Sequence, residues 1–290
     1  MNYAERVCVL VVAMLLFAVM TFLIIGAAQL RSALTHAWWG KDYKETTKDM
    51  IAISDTLPVP LQASHEYSTA EAMLHADMIS RVEQAESEGK KVSMHPELLD
   101  YDLVGNMGVR TVKGRVSRIA FRGTSNAKEM RENMNYAQVP FLKGKVHRGF
   151  LKTYNTRLKT DVLKAAQQAL ENGHTLVISG HSLGAALANM AALDVKDKFP
   201  ELSVVVYAFA PPRQGNAEYA KMLSDNVTAH QLINFNDVVS GIPMSVTPNF
   251  LKPSKPFLYE HGGVLHVFNQ LEPRRFLVDL HLLTAYQPNL

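Results

Sequence analysis

Residues 180–184 read Gly180-His181-Ser182-Leu183-Gly184, a G-x-S-x-G sequence with the serine at its centre. The apolar, β-branched run 175–179 before it predicts a buried strand, and the alanine- and leucine-rich run 185–193 after it predicts a helix. A strand, a tight turn and a helix are the context of a nucleophile elbow, in which the serine hydroxyl projects above the sheet edge. The glycines let strand and helix cross closely, and the helix N-terminus places N–H groups beside the hydroxyl. The stretch therefore predicts a nucleophile, Ser182, in an α/β fold.

The N-terminal part of the sequence is a candidate membrane segment. Residues 7–28 are almost purely apolar, and a helix needs ~20 such residues to span a bilayer. The apolar core of a signal peptide is shorter, about 7–15 residues, although Gly26-Ala27-Ala28 offers a small-residue cleavage site. We therefore expect residues 1–28 to be a single-pass membrane anchor, with a cleaved signal peptide and a secreted protein as the alternative. A linker over residues 29–64 would join the anchor to a domain over residues 65–290.

Composition excludes several classes of protein. The net charge is +3 over 290 residues and the basic residues are dispersed, so no basic patch predicts nucleic-acid binding. The single cysteine, Cys8, excludes an intrachain disulfide. The sequence contains neither a cysteine–histidine ligand cluster nor a glycine-rich phosphate loop, so we expect no metal and no cofactor.

The region before the elbow carries a clear helix signal and two strand signals. Ser68-Thr69-Ala70-Glu71 has the form of a capping box and predicts a helix that ends before Gly89. The charged residues of this helix are expected to form a solvated face. The runs 101–109 and 115–122 predict two strands joined through Lys113-Gly114.

Six stretches, in order along the chain, resemble the motifs of the class 3 (fungal-type) lipases. They are Phe121-Arg122-Gly123-Thr124, Val146-His147-Arg148-Gly149-Phe150, the 180–184 elbow, and residues 209–216, 234–239 and 259–263. The resemblance implies an α/β-hydrolase fold, a mostly parallel sheet flanked by helices, and hydrolysis of acyl esters of lipids, either glycerides or phospholipids. The chain departs from the family pattern at Ala185, Ala210-Pro211 and Val239. These departures remove no reacting group and bear on the substrate subclass.

A serine nucleophile needs an adjacent base, and the base needs an orienting carboxylate. The chain order Ser…Asp…His is the order of α/β-hydrolase triads. Asp237 follows the apolar run 231–235, which places it at the C-terminal end of a strand, where the sites of α/β proteins collect. We therefore expect Asp237 to be the orienting acid.

The base is one of eleven histidines. His281 lies in a C-terminal segment that resembles the catalytic-histidine segment of the family, and it is the expected base. His261 is its main rival by position and His266 a further one. His181 and His147 are expected to be structural, since an elbow turns the residue before the nucleophile away from it.

The resemblance also implies an oxyanion hole and a lid. The oxyanion hole would use the backbone N–H groups of Leu183 and Thr124, with the Thr124 hydroxyl as a further donor. The residues between Thr124 and His147 correspond to the family's lid. Met130 and Met134 lie there at helical spacing and would supply the apolar face of a short lid helix; a plain surface helix is the alternative.

These features predict a serine hydrolase that cleaves lipid esters through an acyl-enzyme, with a lipid ester and a membrane as its partners. Two other functions stay open. One is a non-catalytic, lipase-like scaffold, against which the presence of all triad candidates counts. The other is an esterase for soluble esters, against which the apolar segment at residues 7–28 counts.

Overall fold

The computed structural model describes residues 55, 58–125, 129, 134–249 and 251–268. All of them lie in the second of two units of the chain, residues 50–290. The apolar segment 7–28, Met130 and His281 lie outside the described residues. Within the described ranges, no helix is both long enough and apolar enough to cross a bilayer.

The described part of the chain folds into a layered α/β domain. Its helices are α1 (Thr69–Glu88), α2 (Arg148–Arg157), α3 (Lys159–Glu171), α4 (Leu183–Lys198) and α5 (Ala217–Asn226). Its strands are β1 (Tyr101–Val104), β2 (Gly108–Lys113), β3 (Val116–Phe121), β4 (Gln138–Phe141), β5 (Gly144–His147), β6 (Thr175–His181), β7 (Val204–Phe209), β8 (Thr228–Asn234), β9 (Val246–Thr247), β10 (Phe257–Leu258) and β11 (Val264–Phe268).

Seven strands form the central sheet in the order β1-β2-β3-β6-β7-β8-β11. The pairs β1–β2 and β2–β3 are antiparallel, and the five strands from β3 to β11 are parallel. The mostly parallel sheet flanked by helices that the sequence predicts is therefore confirmed. The pairs β4–β5 and β9–β10 form two small antiparallel ribbons beside it.

The central strands β3, β6 and β7 are buried on both faces, as strands of parallel sheets generally are. Side chains alternate between the faces along each strand: Val177 of β6 packs with α1, whereas Leu176 and Ile178 pack with the helices of the opposite face. Helix α1 covers one face, and α2 to α5 cover the other. The helix after the elbow, α4, is buried along most of its length.

Helix α1 begins and ends where its sequence predicts. The Ser68 side chain accepts a hydrogen bond from the N–H of Glu71 at 3.3 Å, which satisfies one of the unpaired donors of the first turn. The helix ends at Glu88, and Gly89 follows in the left-handed conformation at φ 62°.

The expectation that the charged residues of α1 form a solvated face is wrong. Glu71 is buried and pairs with Arg118 of β3 at 2.6 Å, and Asp77 pairs with the buried Arg81 at 2.8 Å. Burial alone would raise the pKa of Glu71, but hydrogen bonds from His75 and Arg118 outweigh it and lower the pKa to about 2. Glu71 is buried against the arginine of β3, whereas Asp77 and Arg81 are buried as a pair within α1.

The run 101–109, expected to be one strand, is instead β1, a turn and the start of β2, which pairs antiparallel with β1. Gly105 interrupts it in the left-handed conformation at φ 55°. A Cβ at Gly105 would lie 2.2 Å from the carbonyl oxygen of Arg157. The chain therefore reverses at this glycine, with its backbone against the end of α2.

The crossing of β6 and α4 is a backbone-to-backbone contact. A Cβ at Gly180 would lie 2.2 Å from the carbonyl group of Gly184, closer than any side chain tolerates. A Cβ at Gly184 would lie 2.5 Å from the carbonyl oxygens of Phe121 and Arg122. The two glycines of the elbow therefore seat α4 directly on the ends of β6 and β3.

Gly180→Ala tests this contact. The added methyl group has nowhere to go without moving α4, so we expect a loss of more than about 3 kcal/mol in the free energy of unfolding, at the upper end of overpacking costs. The matched control is Gly241→Ala, because a Cβ at Gly241 meets nothing within 4 Å; it should change stability by less than about 0.5 kcal/mol. Urea unfolding of both variants measures the difference, and similar losses in the two would contradict the close crossing.

Candidate active site

Ser182 lies in the turn between β6 and α4 with a strained backbone. Its φ of 56° and ψ of −118° lie in a region that side-chain-bearing residues rarely adopt. The backbone around it is fixed: its N–H donates to the Phe209 carbonyl at 2.9 Å, and its own carbonyl accepts from Ala185 at 3.0 Å. Strain held in place by the surrounding structure is typical of functional sites. Ser182 thus has the placement that the elbow pattern predicts.

Thr124 and Ser182 follow the C-terminal ends of two neighbouring strands. Strands β3 and β6 are parallel neighbours, and Phe121 pairs with Gly180. Thr124 follows Phe121 by three residues and Ser182 follows Gly180 by two, so both leave the sheet at the same edge. Leu183 is the first residue of α4, and the first N–H groups of a helix have no partner within the helix. The predicted oxyanion donors therefore come to the same end of the sheet as Ser182.

A carboxylate that the sequence analysis missed joins these two strand ends. Oε1 of Glu83, on α1, accepts a hydrogen bond from the N–H of Gly123 at 3.0 Å and lies 2.9 Å from Nδ1 of His181. His181 is thereby turned toward α1, in line with its expected structural role, which stays a prediction. The sequence offers no local signal for Glu83, because both contacts cross from α1 to distant strands.

A second carboxylate holds the segment after Thr124. Glu129 is fully buried and accepts hydrogen bonds from Arg122 at 3.0 and 3.1 Å and from Arg157 at 2.6 Å. It also accepts from the N–H of Ser125 at 2.9 Å. Burial alone would raise the pKa of Glu129, but these hydrogen bonds, led by that from Arg122, lower it to about 2. The carboxylate is therefore ionised throughout the pH range in which the protein would work.

Asp237 lies at the same end of the sheet. It follows the end of β8 at Asn234, two strands away from β6 in the sheet order. The side chain is 4% exposed, and its Oδ1 accepts a hydrogen bond from the N–H of Val239 at 2.9 Å. The hydroxyl of Ser240 lies 3.4 Å from Oδ2. Asp237 is thus a buried and oriented carboxylate at the expected strand end.

The expected base, His281, lies outside the described residues. Strand β11 ends at Phe268, which pairs with Asn234. The chain therefore enters residues 269–290 from the sheet edge that carries Asp237. The assignment of His281 as the base stays a prediction.

The structure shows where the rival histidines lie. Nε2 of His261 donates to the carbonyl of Ser240 at 2.9 Å, and burial lowers the pKa of His261. His266 lies midway along β11, and its Nε2 is 3.0 Å from Nδ1 of His230. The described hydrogen-bond partners of the two rivals are therefore Ser240 and His230.

His147 has the structural role that the sequence predicts. It caps α2, and its Nδ1 accepts hydrogen bonds from the N–H groups of Gly149 at 3.1 Å and Phe150 at 3.3 Å. The ring is fully buried and stacks on Phe150 at 3.8 Å between centroids. His147 is therefore committed to the start of α2.

Two further expectations concern the lid and metals. Met134 is 46% exposed, and Met130 lies outside the described residues, so the lid role of the pair stays a prediction. In the described part of the chain, no group of three or more histidine, cysteine or acidic side chains is arranged to hold a metal ion.

The region around the elbow is similar to known lipases. The model of the family described as lipase (class 3) matches residues 118–247, just under half of the chain. The chain is 29% identical over 175 residues to the chloroplastic phospholipase A(1) DAD1 of Arabidopsis thaliana, covering 50% of this chain and 39% of that protein. It is 36% identical over 90 residues to the secreted mono- and diacylglycerol lipase A of Penicillium cyclopium, covering 30% of this chain and 29% of that protein. The chain thus spans less than half the length of these relatives.

Solved structures of fungal lipases have the same fold. The lipase of Rhizopus microsporus var. chinensis superposes with a TM-score of 0.56 at 21% identity, covering 75% of this chain and 82% of that one. The Rhizomucor miehei lipase in its propeptide complex gives a TM-score of 0.56 at 18% identity, covering 77% and 81% of the two chains. At these identities the likeness is one of fold.

Ser182→Gly tests the strain at the elbow. Glycine adopts positive φ without the steric cost of about 1–3 kcal/mol that other residues incur, although it adds entropy to the unfolded chain. Both variants lack the hydroxyl, but alanine keeps the backbone strain that glycine relieves, so we expect Ser182→Gly to be more stable than Ser182→Ala by about 1 kcal/mol. Denaturant unfolding of the two variants measures this difference, and equal midpoints would show that the turn is unstrained.

Proposed function

We propose that this chain, whose residues 118–247 belong to the class 3 lipase family, hydrolyses carboxylic ester bonds of glycerides or phospholipids through an acyl-enzyme. The observation that carries the proposal is Ser182, held at positive φ at the N-terminus of α4 beside the loop of Thr124. Relatives named as a phospholipase A(1) and as a mono- and diacylglycerol lipase support an acyl ester of a lipid as the substrate class.

The proposed roles follow from the chemistry of serine nucleophiles. Ser182 attacks the ester carbonyl, and His281 takes its proton and returns it to the leaving alcohol. Asp237 holds the imidazole in the required orientation. The backbone N–H groups of Leu183 and Thr124 stabilise the oxyanion, and water then cleaves the acyl-enzyme.

The surface beside Asp237 favours a lipid over a soluble ester. The residues that follow β8 expose large apolar side chains: Phe235 is 75% exposed, Val238 48% and Ile242 50%. Exposed apolar side chains clustered beside a site favour contact with an apolar partner. Acyl chains and lipid surfaces are partners of this kind.

The same proposal includes residues 7–28, 130 and 134. We assign residues 7–28 as a segment that brings the chain to a membrane, with a cleaved signal and secretion as the alternative; N-terminal sequencing of the mature protein distinguishes the two. Met130 and Met134 are assigned to a lid over the site.

The experiment for the function combines an active-site label with a substrate panel. A fluorophosphonate probe should label the wild-type protein, and Ser182→Ala should abolish labelling and lower turnover at least ~10⁴-fold. The panel sets short-chain dispersed esters against glycerides and phospholipids, and we expect the lipid esters to be preferred.

The outcomes separate the three candidate functions. A folded wild-type protein that is neither labelled nor active would support the non-catalytic scaffold. A preference for the short-chain esters would identify the protein as an esterase for soluble esters. Labelling that persists in Ser182→Ala would place the nucleophile elsewhere.

A pair of histidine variants tests the base. His281→Ala should reduce turnover nearly to the level of Ser182→Ala, because the serine then lacks a proton acceptor. His261→Ala should keep most of the activity, since Nε2 of His261 is bonded to the backbone of Ser240. Steady-state kinetics on one dispersed ester compares the two variants, and the reverse pattern would move the assignment to His261.

A further inference from the structure

The loop that carries Thr124 is held by charged side chains at each successive peptide. The N–H of Gly123 donates to Glu83 at 3.0 Å. The carbonyl of Gly123 accepts from Nη1 of Arg122 at 2.8 Å. The N–H of Ser125 donates to Glu129 at 2.9 Å. We propose that Glu83 and Glu129, acting with Arg122, are positioning residues that fix the orientation of the Thr124 N–H in the oxyanion hole; this inference rests on the proposed function.

The hydrogen bond from Arg122 fixes the peptide group between Gly123 and Thr124. The carbonyl of Gly123 and the N–H of Thr124 belong to the same planar peptide group, and in a trans peptide they point in opposite directions. Holding the carbonyl on one side therefore directs the Thr124 N–H to the other. Arg122 is itself 1% exposed, so its guanidinium has little freedom to follow a displaced loop.

Glu129 holds Arg122 and the following peptide together. Its two carboxylate oxygens accept from Arg122, from Arg157 and from the N–H of Ser125. A carboxylate that accepts several charge-assisted hydrogen bonds in a fully buried place cannot rotate without leaving donors unpaired. Glu129 therefore fixes Arg122 on one side of Thr124 and the Ser125 N–H on the other.

Glu83 ties the same loop to the elbow. One carboxylate oxygen of Glu83, Oε1, lies within hydrogen-bonding distance of both the Gly123 N–H and Nδ1 of His181. His181 is the residue before Ser182. A Cβ at Gly123 would lie 3.2 Å from both of these side-chain atoms, so the carboxylate and the imidazole close tightly on the loop backbone. The distance between the nucleophile and the Thr124 peptide is thereby set through Glu83.

Such positioning has a catalytic consequence. Oxyanion donors act because they are already aimed at the place where negative charge develops, and removing one donor costs about 10²- to 10³-fold in kcat. A donor that is present but misaimed loses part of this effect, since small displacements in a site are costly. Because the oxyanion forms only along the reaction, loss of aim lowers kcat and leaves KM nearly unchanged.

The test uses the full chain with Glu83→Ala and Glu83→Gln. Glu83 is partly exposed at 22% of its side chain, so its variants are expected to fold. Glu83→Ala should lower kcat on a dispersed ester about 10- to 100-fold with KM within about 3-fold of wild type. Glu83→Gln keeps an acceptor oxygen for the Gly123 N–H and should restore kcat to within about 3-fold of wild type.

Glu129→Gln and Glu88→Ala complete the set. Glu129→Gln should lower kcat in the same way, and its thermal unfolding is measured alongside because the residue is buried. Glu88, on the same helix as Glu83, pairs with the exposed Lys90 at 2.8 Å. Glu88→Ala is therefore the control and should leave kcat unchanged.

A trifluoromethyl ketone inhibitor, which forms a tetrahedral oxyanion with Ser182, gives an independent readout. Its affinity should fall in Glu83→Ala by the same factor as kcat/KM, which a loss of general stability would not cause. If the wild-type enzyme is active but Glu83→Ala and Glu129→Gln both keep its kcat and inhibitor affinity, the positioning role is overturned. The proposed function would then still stand. An inactive, unlabelled wild-type protein would overturn the proposed function and this inference with it.

Discussion

The close approach of two backbones at the elbow is the constraint on which the rest of the site depends. Because Gly180 and Gly184 carry no Cβ, α4 sits directly on the ends of β6 and β3, at distances of 2.2 and 2.5 Å for any added Cβ. This contact forces Ser182 into positive φ and brings the carbonyl groups of residues 121 and 122 against the helix start. Ser182, the N-terminus of α4 and the Thr124 loop are therefore positioned by one packing condition.

Buried and partly buried carboxylates beside β3 and β6 extend this constraint beyond the elbow. Removing a carboxylate from water is costly, and the cost is offset only where good partners meet it. Glu71 forms an ion pair with Arg118, and Glu129 forms one with Arg122. Glu83 is within hydrogen-bonding distance of His181 and of the Gly123 N–H. Each of these carboxylates lies against β3 or the end of β6, so the strands that carry the site are the strands best fixed in orientation.

Helix α1 consequently belongs to the site although it precedes the region that matches the lipase family. The match begins at residue 118, and α1 ends at Glu88. Glu83 reaches from α1 to both sides of the site through one oxygen atom. A segment outside the matched region therefore contacts Gly123, beside Thr124, and His181, beside Ser182.

The sequence by itself determined the local features, because their signals lie within a few residues of one another. The β6–elbow–α4 unit, the Ser68 cap, the Gly89 stop of α1 and the placement of Asp237 after β8 all follow from hydrophobic runs, capping residues and glycines. Only the tertiary structure decided the rest. Gly105 lies against the carbonyl oxygen of Arg157 at the end of a distant helix, and Glu71 of α1 is buried against Arg118, 47 residues away. Glu83 and His181 are 98 residues apart, so no local pattern contains their pairing. Such contacts depend on which strands become neighbours in the sheet, and that is settled only when the whole domain packs.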